Sequence, residues 1–333
     1  MTAVEVTAES MPGGAPDPAA GRRDPTQPAT TAERLDLRLV RSAGDLVLLA
    51  RPRQWAKTVL AVPLALLDTP AWTLGGLART GWAVLLFTLA SSLVYVVNDI
   101  TDRDLDRRHP TKRARPVADG RISVTTAAGF AGVLAGLLAL AFAVGPALPG
   151  WPLAVYLVLN VAYSRWLKHI PLVDISVVAT GFGLRVVLGY AATGATVSVW
   201  LLTAVFTACL VLILGKRRGE LAAQGTGYRP ALRGYTLNLA DHLISVNATL
   251  TVAAFLMYLH TDAPIGAHRE AIVLAAVPLT LLAISRYLQA VLVHHGGGDP
   301  VRTLLRDRLI VGSAALLAAA VGAGLLATSP PTS

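Results

Sequence analysis

The chain has 333 residues, of which 54% are hydrophobic and only 15% charged, and its mean hydropathy is +0.56. That balance excludes an ordinary soluble globule and places most of the chain in lipid. The net charge of +9 does not mark a nucleic-acid binder, because the cations sort by membrane side, and the lone Cys209, set in an apolar run, excludes a disulfide framework.

Residues 1–35, rich in Pro, Ala, Gly and Thr, read as a disordered cytoplasmic tail, and residues 36–333 as one transmembrane domain. Nine apolar runs follow: Trp55–Leu67, Trp82–Val97, Val124–Leu148, Pro152–Tyr163, Leu172–Ala192, Val199–Leu214, Leu243–His260, Ile272–Val293 and Leu309–Ala327. The first and fourth are short for a span, which takes about 20 residues. If all nine alternate, the cations before the first run, those from Arg103 to Arg121, Arg165 and Lys168, the cluster from Lys216 to Arg233, and Arg302 to Arg308 share one side. Only Arg79 and Arg269 fall on the other. The positive-inside rule then puts the amino terminus and the charged loops in the cytoplasm. The expected fold is all-α: nine transmembrane helices around a central cavity open to the cytoplasmic side.

Chemistry concentrates on the charged side. At the end of the second run stands Tyr95-Val-Val-Asn98-Asp99-Ile-Thr-Asp102-Arg-Asp-Leu-Asp106. If the helix continues, Asn98, Asp102 and Asp106 fall on one face over roughly 12 Å. Such a stack repels itself unless a cation sits among the oxygens, and hard oxygen ligands suit Mg²⁺, which completes its shell with water and substrate phosphates. Asp104 breaks that face and reads as a surface partner of Arg107 or Arg108, and Asp99 as a supporting or helix-end group. Lys112, Arg113 and Arg115 just downstream supply charge for a polyphosphate.

Other polar groups surround this stretch. Arg53 reads equally as an interfacial anchor and as an anion contact; Lys57, already inside an apolar helix, calls for a buried anion. Tyr163 and Lys168 close the fourth run. Asp174 opens the fifth, and Arg185, about three turns further, must face a partner or a water-filled cavity. Lys216 and Arg217 begin a cation cluster that topology alone would produce, with Glu220 one turn on. The segment Arg229–Asp241, with Arg233 and Tyr235, is expected over the same opening. Gly181, Gly183 and Gly189 read as helix-packing positions. His294 and His295, before a Gly run and Asp299, read as a linker rather than a metal site.

Asn98-Asp99-x-x-Asp102-x-x-x-Asp106, followed by Arg115-Pro116 and Gly120, resembles the first acidic motif of the UbiA superfamily of intramembrane prenyltransferases. Four segments are more narrowly similar to the actinobacterial phosphoribosyltransferases that act on decaprenyl phosphate. They are Arg51-Pro-Arg-Gln-Trp55-x-Lys57, His109-Pro-Thr-Lys112-Arg113-x-Arg115-Pro116, Tyr163-Ser-x-x-Leu-Lys168-His169 and Gly215-Lys216-Arg217-x-x-Glu220-Leu221. The resemblance implies a transferase moving phosphoribosyl from phosphoribosyl diphosphate to a polyprenyl phosphate, for arabinan cell-wall precursors. It implies Mg²⁺ held by Asn98, Asp102 and Asp106, with Asp99, Asp102 and Asp106 as the catalytic acids. Lys57, Arg53, Tyr95, Lys112, Arg113, Arg115, Tyr163, Lys168, Arg185, Lys216 and Arg217 are the expected substrate contacts. The expected partners are these two substrates and the bilayer, with a homo-oligomer left open. The second aspartate-rich motif typical of the superfamily is replaced by Gly-Lys-Arg-Arg-Gly-Glu, which suits a donor carrying a separate phosphate. Two other readings stay open: a prenyl transfer to an aromatic or quinone precursor, and a transporter whose acidic motif binds a cation.

Overall fold

In a computed structural model the protein is described over residues 43–69, 72–109, 112–226, 230–294 and 300–328. The chain divides into two units, Met1–Gly44 and Asp45–Ser333. The expected tail and the expectations for Arg229, His295 and Asp299 lie outside the described residues, and the elements below belong to the second unit.

All regular structure among the described residues is helical. After α1 (residues 45–50 of this unit) come α2 (Pro52–Ala61), α3 (Leu74–Thr101), α4 (Arg103–Arg107), α5 (Val124–Val144) and α6 (Trp151–Arg165). Then follow α7 (Val173–Thr193), α8 (Val199–Gln224), α9 (Leu237–Thr261), α10 (Arg269–Leu292), α11 (Pro300–Arg306) and α12 (Arg308–Thr328). Each of the nine apolar runs lies mostly in helix, although the third leaves it after Val144. Among the described residues, seven helices are long and apolar enough to cross a bilayer: α3, α5, α7, α8, α9, α10 and α12. The first run is α2 continued by a 3-10 helix over Val62–Asp68, and the fourth is α6, only 15 residues long. The chain is a multi-pass membrane protein.

Local chemistry sets where the helices start. Thr73, Ser123, Ser198 and Thr236 each accept a backbone N–H from three residues on, at 3.1, 3.0, 3.0 and 3.0 Å, which satisfies an otherwise orphaned donor. Pro52 opens α2, where its missing N–H costs nothing.

The helices alternate in direction, as side chains joining their ends demonstrate. Away from the acidic stretch, Asp68 accepts from the hydroxyls of Tyr190 at the end of α7 and Tyr258 at the end of α9, the latter at 2.6 Å. Ser198 at the start of α8 donates to Asp262 beyond α9, and Arg79 near the start of α3 donates to Ala192 O at the end of α7. The opposite end of the bundle collects the charges. At the centre, α7 packs against α2, α3, α6 and α8. Gly189 allows the closest approach: a Cβ there would collide with the carbonyl oxygen of Val62, so only glycine lets the 3-10 segment lie against α7.

Candidate active site

The acidic stretch forms the charged end of α3. The unbroken helix expected through it is corrected by the structure: α3 stops at Thr101, and Asp102 has φ −90° and ψ 4° before α4 begins. Hydrogen bonds from Asp102 N to Asn98 O (2.9 Å) and Asp106 N to Asp102 O (2.8 Å) persist across the break. The chain is thus re-aimed rather than released. Asn98 and Asp102 remain half-buried, whereas Asp106 is only 2% exposed. Repulsion among the carboxylates is relieved because every acid of the stretch has a cationic partner.

Arg115 bridges two of the acids, reaching Asp99 at 3.1 Å and Asp106 at 2.6 Å. Asp99 is also gripped by Arg51, whose guanidinium stands 4.9 Å over the Tyr95 ring. Arg51, between α1 and α2, has left-handed backbone (φ 54°), a conformation uncommon for a residue with a side chain. Asp102 pairs with Lys168 at 3.0 Å, and Asn98 accepts from Ser164 Oγ at 2.5 Å, so the end of α6 docks on this face. Asp104 is exposed and pairs with Arg107 and Arg103 at 3.3 and 3.2 Å.

A basic interior lies alongside. Arg185 is 5% exposed and has no carboxylate partner among the described residues. Its nitrogens donate to Thr58 Oγ1 (3.1 Å), Gly181 O (2.6 Å) and Tyr156 OH (3.3 Å), while Phe87, Tyr156 and Phe182 present ring faces at 4.9–5.5 Å. Ring quadrupoles stabilise the guanidinium without cancelling its charge. Lys57, next to Thr58 on α2, has no hydrogen-bond or ion-pair partner among the described residues and feels the charges of Lys216, Arg185 and Arg51. A buried ammonium in a cationic field gains from an anion.

The other expected contacts separate into two groups. Lys216 is exposed and 4.0 Å from Glu220, on the side of Lys57. Arg217, expected to touch substrate, is instead buried between Asp174 (2.9 Å) and Glu220 (2.9 Å), with Tyr163 close enough to feel its charge. Arg218 reaches Asp241 at 2.5 Å and the Val291 carbonyl at 3.2 Å. Tyr235 completes the network: it accepts from Leu172 N and donates to Asp174 at 3.1 Å, and burial next to that carboxylate pushes its phenol up to about 12. Arg53 and Arg113 are exposed and form no ion pair among the described residues. Lys112 N donates to His109 Nδ1 at 3.3 Å, and burial together with the Lys112 charge holds the His109 imidazole below its usual value.

Sequence reasoning missed Arg51 as the partner of Asp99, Ser164 as the partner of Asn98, and the Thr58–Tyr156 seat of Arg185. The Arg-Pro pair marked a turn at Arg51, but nothing local marked its target.

Among the described residues no three His, Cys, Asp or Glu side chains converge on one point. An all-protein metal cage is therefore missing from them. Asn98 and Asp102, one helical turn apart and open enough to be reached, fit a cation that keeps waters and takes its remaining ligands from phosphate, the habit of Mg²⁺.

The profile of the UbiA prenyltransferase family matches residues 57–302. A decaprenyl-phosphate phosphoribosyltransferase of Mycobacterium tuberculosis is 36% identical over 291 residues, covering 83% of this chain and 92% of that protein. Another of that name from Corynebacterium glutamicum is 33% identical, covering 80% of this chain and 82% of its own length. Among solved structures, a UbiA homolog from Archaeoglobus fulgidus bound to DMAPP and Mg²⁺ superposes with a TM-score of 0.61, covering 85% of this chain and 99% of that one at 18% identity.

Proposed function

From the premise that this chain belongs to the UbiA prenyltransferase family, we propose that it transfers a 5-phosphoribosyl group from phosphoribosyl diphosphate to a decaprenyl or similar polyprenyl phosphate, releasing diphosphate, in the supply of arabinan precursors. The observation that carries the reading is the pairing of an acidic turn open to metal with a basic interior that lacks carboxylates. The first suits a metal-bound diphosphate and the second a further phosphate on the same donor or on the acceptor. Relatives that move prenyl groups, such as a protoheme IX farnesyltransferase of Nostoc, are 29% identical over 59% of this chain, a weaker match.

Asn98 and Asp102 would hold Mg²⁺, which when bound neutralises the diphosphate oxygens as a Lewis acid. Asp106 and Asp99 hold Arg115 and Arg51 at the rim of that site, where their remaining N–H groups face incoming phosphate. Lys168, on Asp102, and Lys112 add charge next to it. Lys57 and Arg185 favour an anion in the interior, with the exposed Lys216 adding charge from its outer side.

The reaction is a substitution at the ribose anomeric carbon. Its bond to the diphosphate oxygen breaks as a bond to an acceptor phosphate oxygen forms, and the electron pair leaves with diphosphate. Positive character grows on the sugar, as in glycoside hydrolysis. The acceptor phosphate is already ionised, so no general base is required and the protein's task is to hold the two partners in line. Tyr95, under the Arg51 guanidinium, and Tyr163 would meet ribose hydroxyls, and the exposed Arg53 and Arg113 would add charge at the entrance.

Nine spans with the charged end in the cytoplasm of the plasma membrane complete the proposal: α2 with its 3-10 extension and α6 supply the two further crossings, and the loop cations set orientation. Membranes containing the protein, incubated with polyprenyl phosphate and labelled phosphoribosyl diphosphate, should yield labelled lipid, and EDTA should stop it. Consumption of labelled prenyl diphosphate alone would refute the assignment.

A further inference from the structure

Hydroxyls on the long helices mostly serve their own helix. Thr80, Ser91, Thr203, Ser245 and Thr280 each donate to the carbonyl four residues back, at 2.7–2.9 Å. That is the default for a helical hydroxyl where lipid offers no other acceptor. Ser164, in the last turn of α6, departs from it. Its hydroxyl donates at 2.5 Å to Oδ1 of Asn98 on α3. A hydroxyl has one proton to give, so the Asn160 carbonyl a turn earlier goes without it.

Four residues after Ser164, Lys168 reaches Oδ1 of Asp102 at 3.0 Å. Asn98 and Asp102 are also four residues apart, and both contacts join residues separated by 66 positions, as two helices running in the same direction require. One turn at the end of α6 therefore lies rung for rung against the turn that carries the two oxygen ligands. Those ligands need different things from such a neighbour. A carboxylate offers an oxygen to a cation whichever way it turns. An amide offers oxygen on one side and N–H₂ on the other, and the torsion that chooses between them is broad and soft. Asn98 is only half-buried. The bond from Ser164 holds that torsion, taking one lone pair of Oδ1 and leaving the other for a cation.

We propose that Ser164 is a positioning residue for the metal ion: its hydroxyl fixes the Asn98 amide so that oxygen, not nitrogen, meets Mg²⁺. This rests on the reading of Asn98 and Asp102 as the residues that hold the metal. Groups that orient a ligand in this way are typically worth about 10- to 100-fold in metal affinity. A single neutral hydroxyl on a half-buried amide belongs at the lower end of that range.

The test uses the full chain in detergent, with Mn²⁺ in place of Mg²⁺ and inorganic diphosphate in place of the donor. Free Mn²⁺ is read by electron paramagnetic resonance. Ser164→Ala should bind Mn²⁺ about 10-fold more weakly than wild type, with its unfolding midpoint in EDTA unchanged. Ser164→Thr, which keeps the hydroxyl, should bind as wild type does. So should Ser245→Ala, which removes a hydroxyl that serves only its own helix. Wild-type affinity in Ser164→Ala would overturn the proposal, and so would an equal loss in Ser245→Ala. A lowered midpoint in EDTA with unaltered affinity would reduce the contact to packing and overturn it too. Neither sugar nor lipid is present, so these outcomes are independent of the group transferred. Labelled phosphoribosyl diphosphate left unconsumed would refute the proposed reaction and leave the Mn²⁺ result standing. Wild-type Mn²⁺ affinity in Asn98→Ala would instead remove the metal reading on which Ser164 depends.

Discussion

Two sets of ion pairs stand at the charged end of the bundle and are built differently. Asp174 and Arg217 are 0% and 5% exposed, and each has a second partner, Tyr235 for the carboxylate and Glu220 for the guanidinium. Lys168 and Asp102 form a single contact at 3.0 Å with side chains 20% and 31% exposed. The first set is sealed, so opening it strands a charge in a poor dielectric. The second is solvated and costs little to open, which a site that must exchange protein cations for substrate and metal requires. Similar residue types in neighbouring loops therefore do different work, and burial separates them.

The sharpest way to break this contrast is Asp174→Ala, which leaves Arg217 with Glu220 alone. It should cost about 3–5 kcal/mol of stability, seen as a large drop in the thermal unfolding midpoint in detergent. Asp102→Ala should do the reverse: an unfolding midpoint near wild type, with turnover down about 100- to 1,000-fold. If Asp102→Ala instead melted the protein while leaving turnover intact, the acidic turn would be structural and the contrast false. Lys168→Met should lower turnover by about 10-fold and change stability by less than about 1 kcal/mol, measured by the same two assays.

Smallest of all, Tyr235→Phe should cost about 1 kcal/mol at neutral pH. Its pH dependence has a definite sign. The folded phenol titrates at about 12, above the unfolded value of roughly 10. Its contribution is complete below the unfolded value and is lost as pH rises through the folded one. Melting curves of wild type and Tyr235→Phe should converge between about pH 10 and 12, and parallel curves throughout that window would remove Tyr235 from the sealed set.

Much of the architecture was legible along the chain. Length and hydropathy place a helix at every apolar run, because a backbone in lipid must satisfy its own hydrogen bonds. The spacing of Asn98 and Asp102 is local and survives, since the bond from Asp102 N to Asn98 O persists. Asp106 was expected on one face with Asn98 and Asp102, but the helix breaks at Asp102 and Asp106 is buried against Arg115, a residue beyond the helix. Arg217 was read with substrate because Lys216, Arg217 and Arg218 are indistinguishable as a run of cations. Only the helix rotation that sends Arg217 to Asp174, Arg218 to Asp241 and leaves Lys216 exposed tells them apart.

By itself, then, the sequence determined a multi-pass helical chain, the sorting of its cations to one end, and the acidic turn with its oxygen-rich chemistry. These depend on periodicity, composition and neighbours a few residues away. Tertiary structure decided which cations are spent on carboxylates, which remain for an anion, and that Arg51, Ser164 and Tyr235 take part. Ion pairing and burial are set by distances across the bundle, between residues that no local pattern relates.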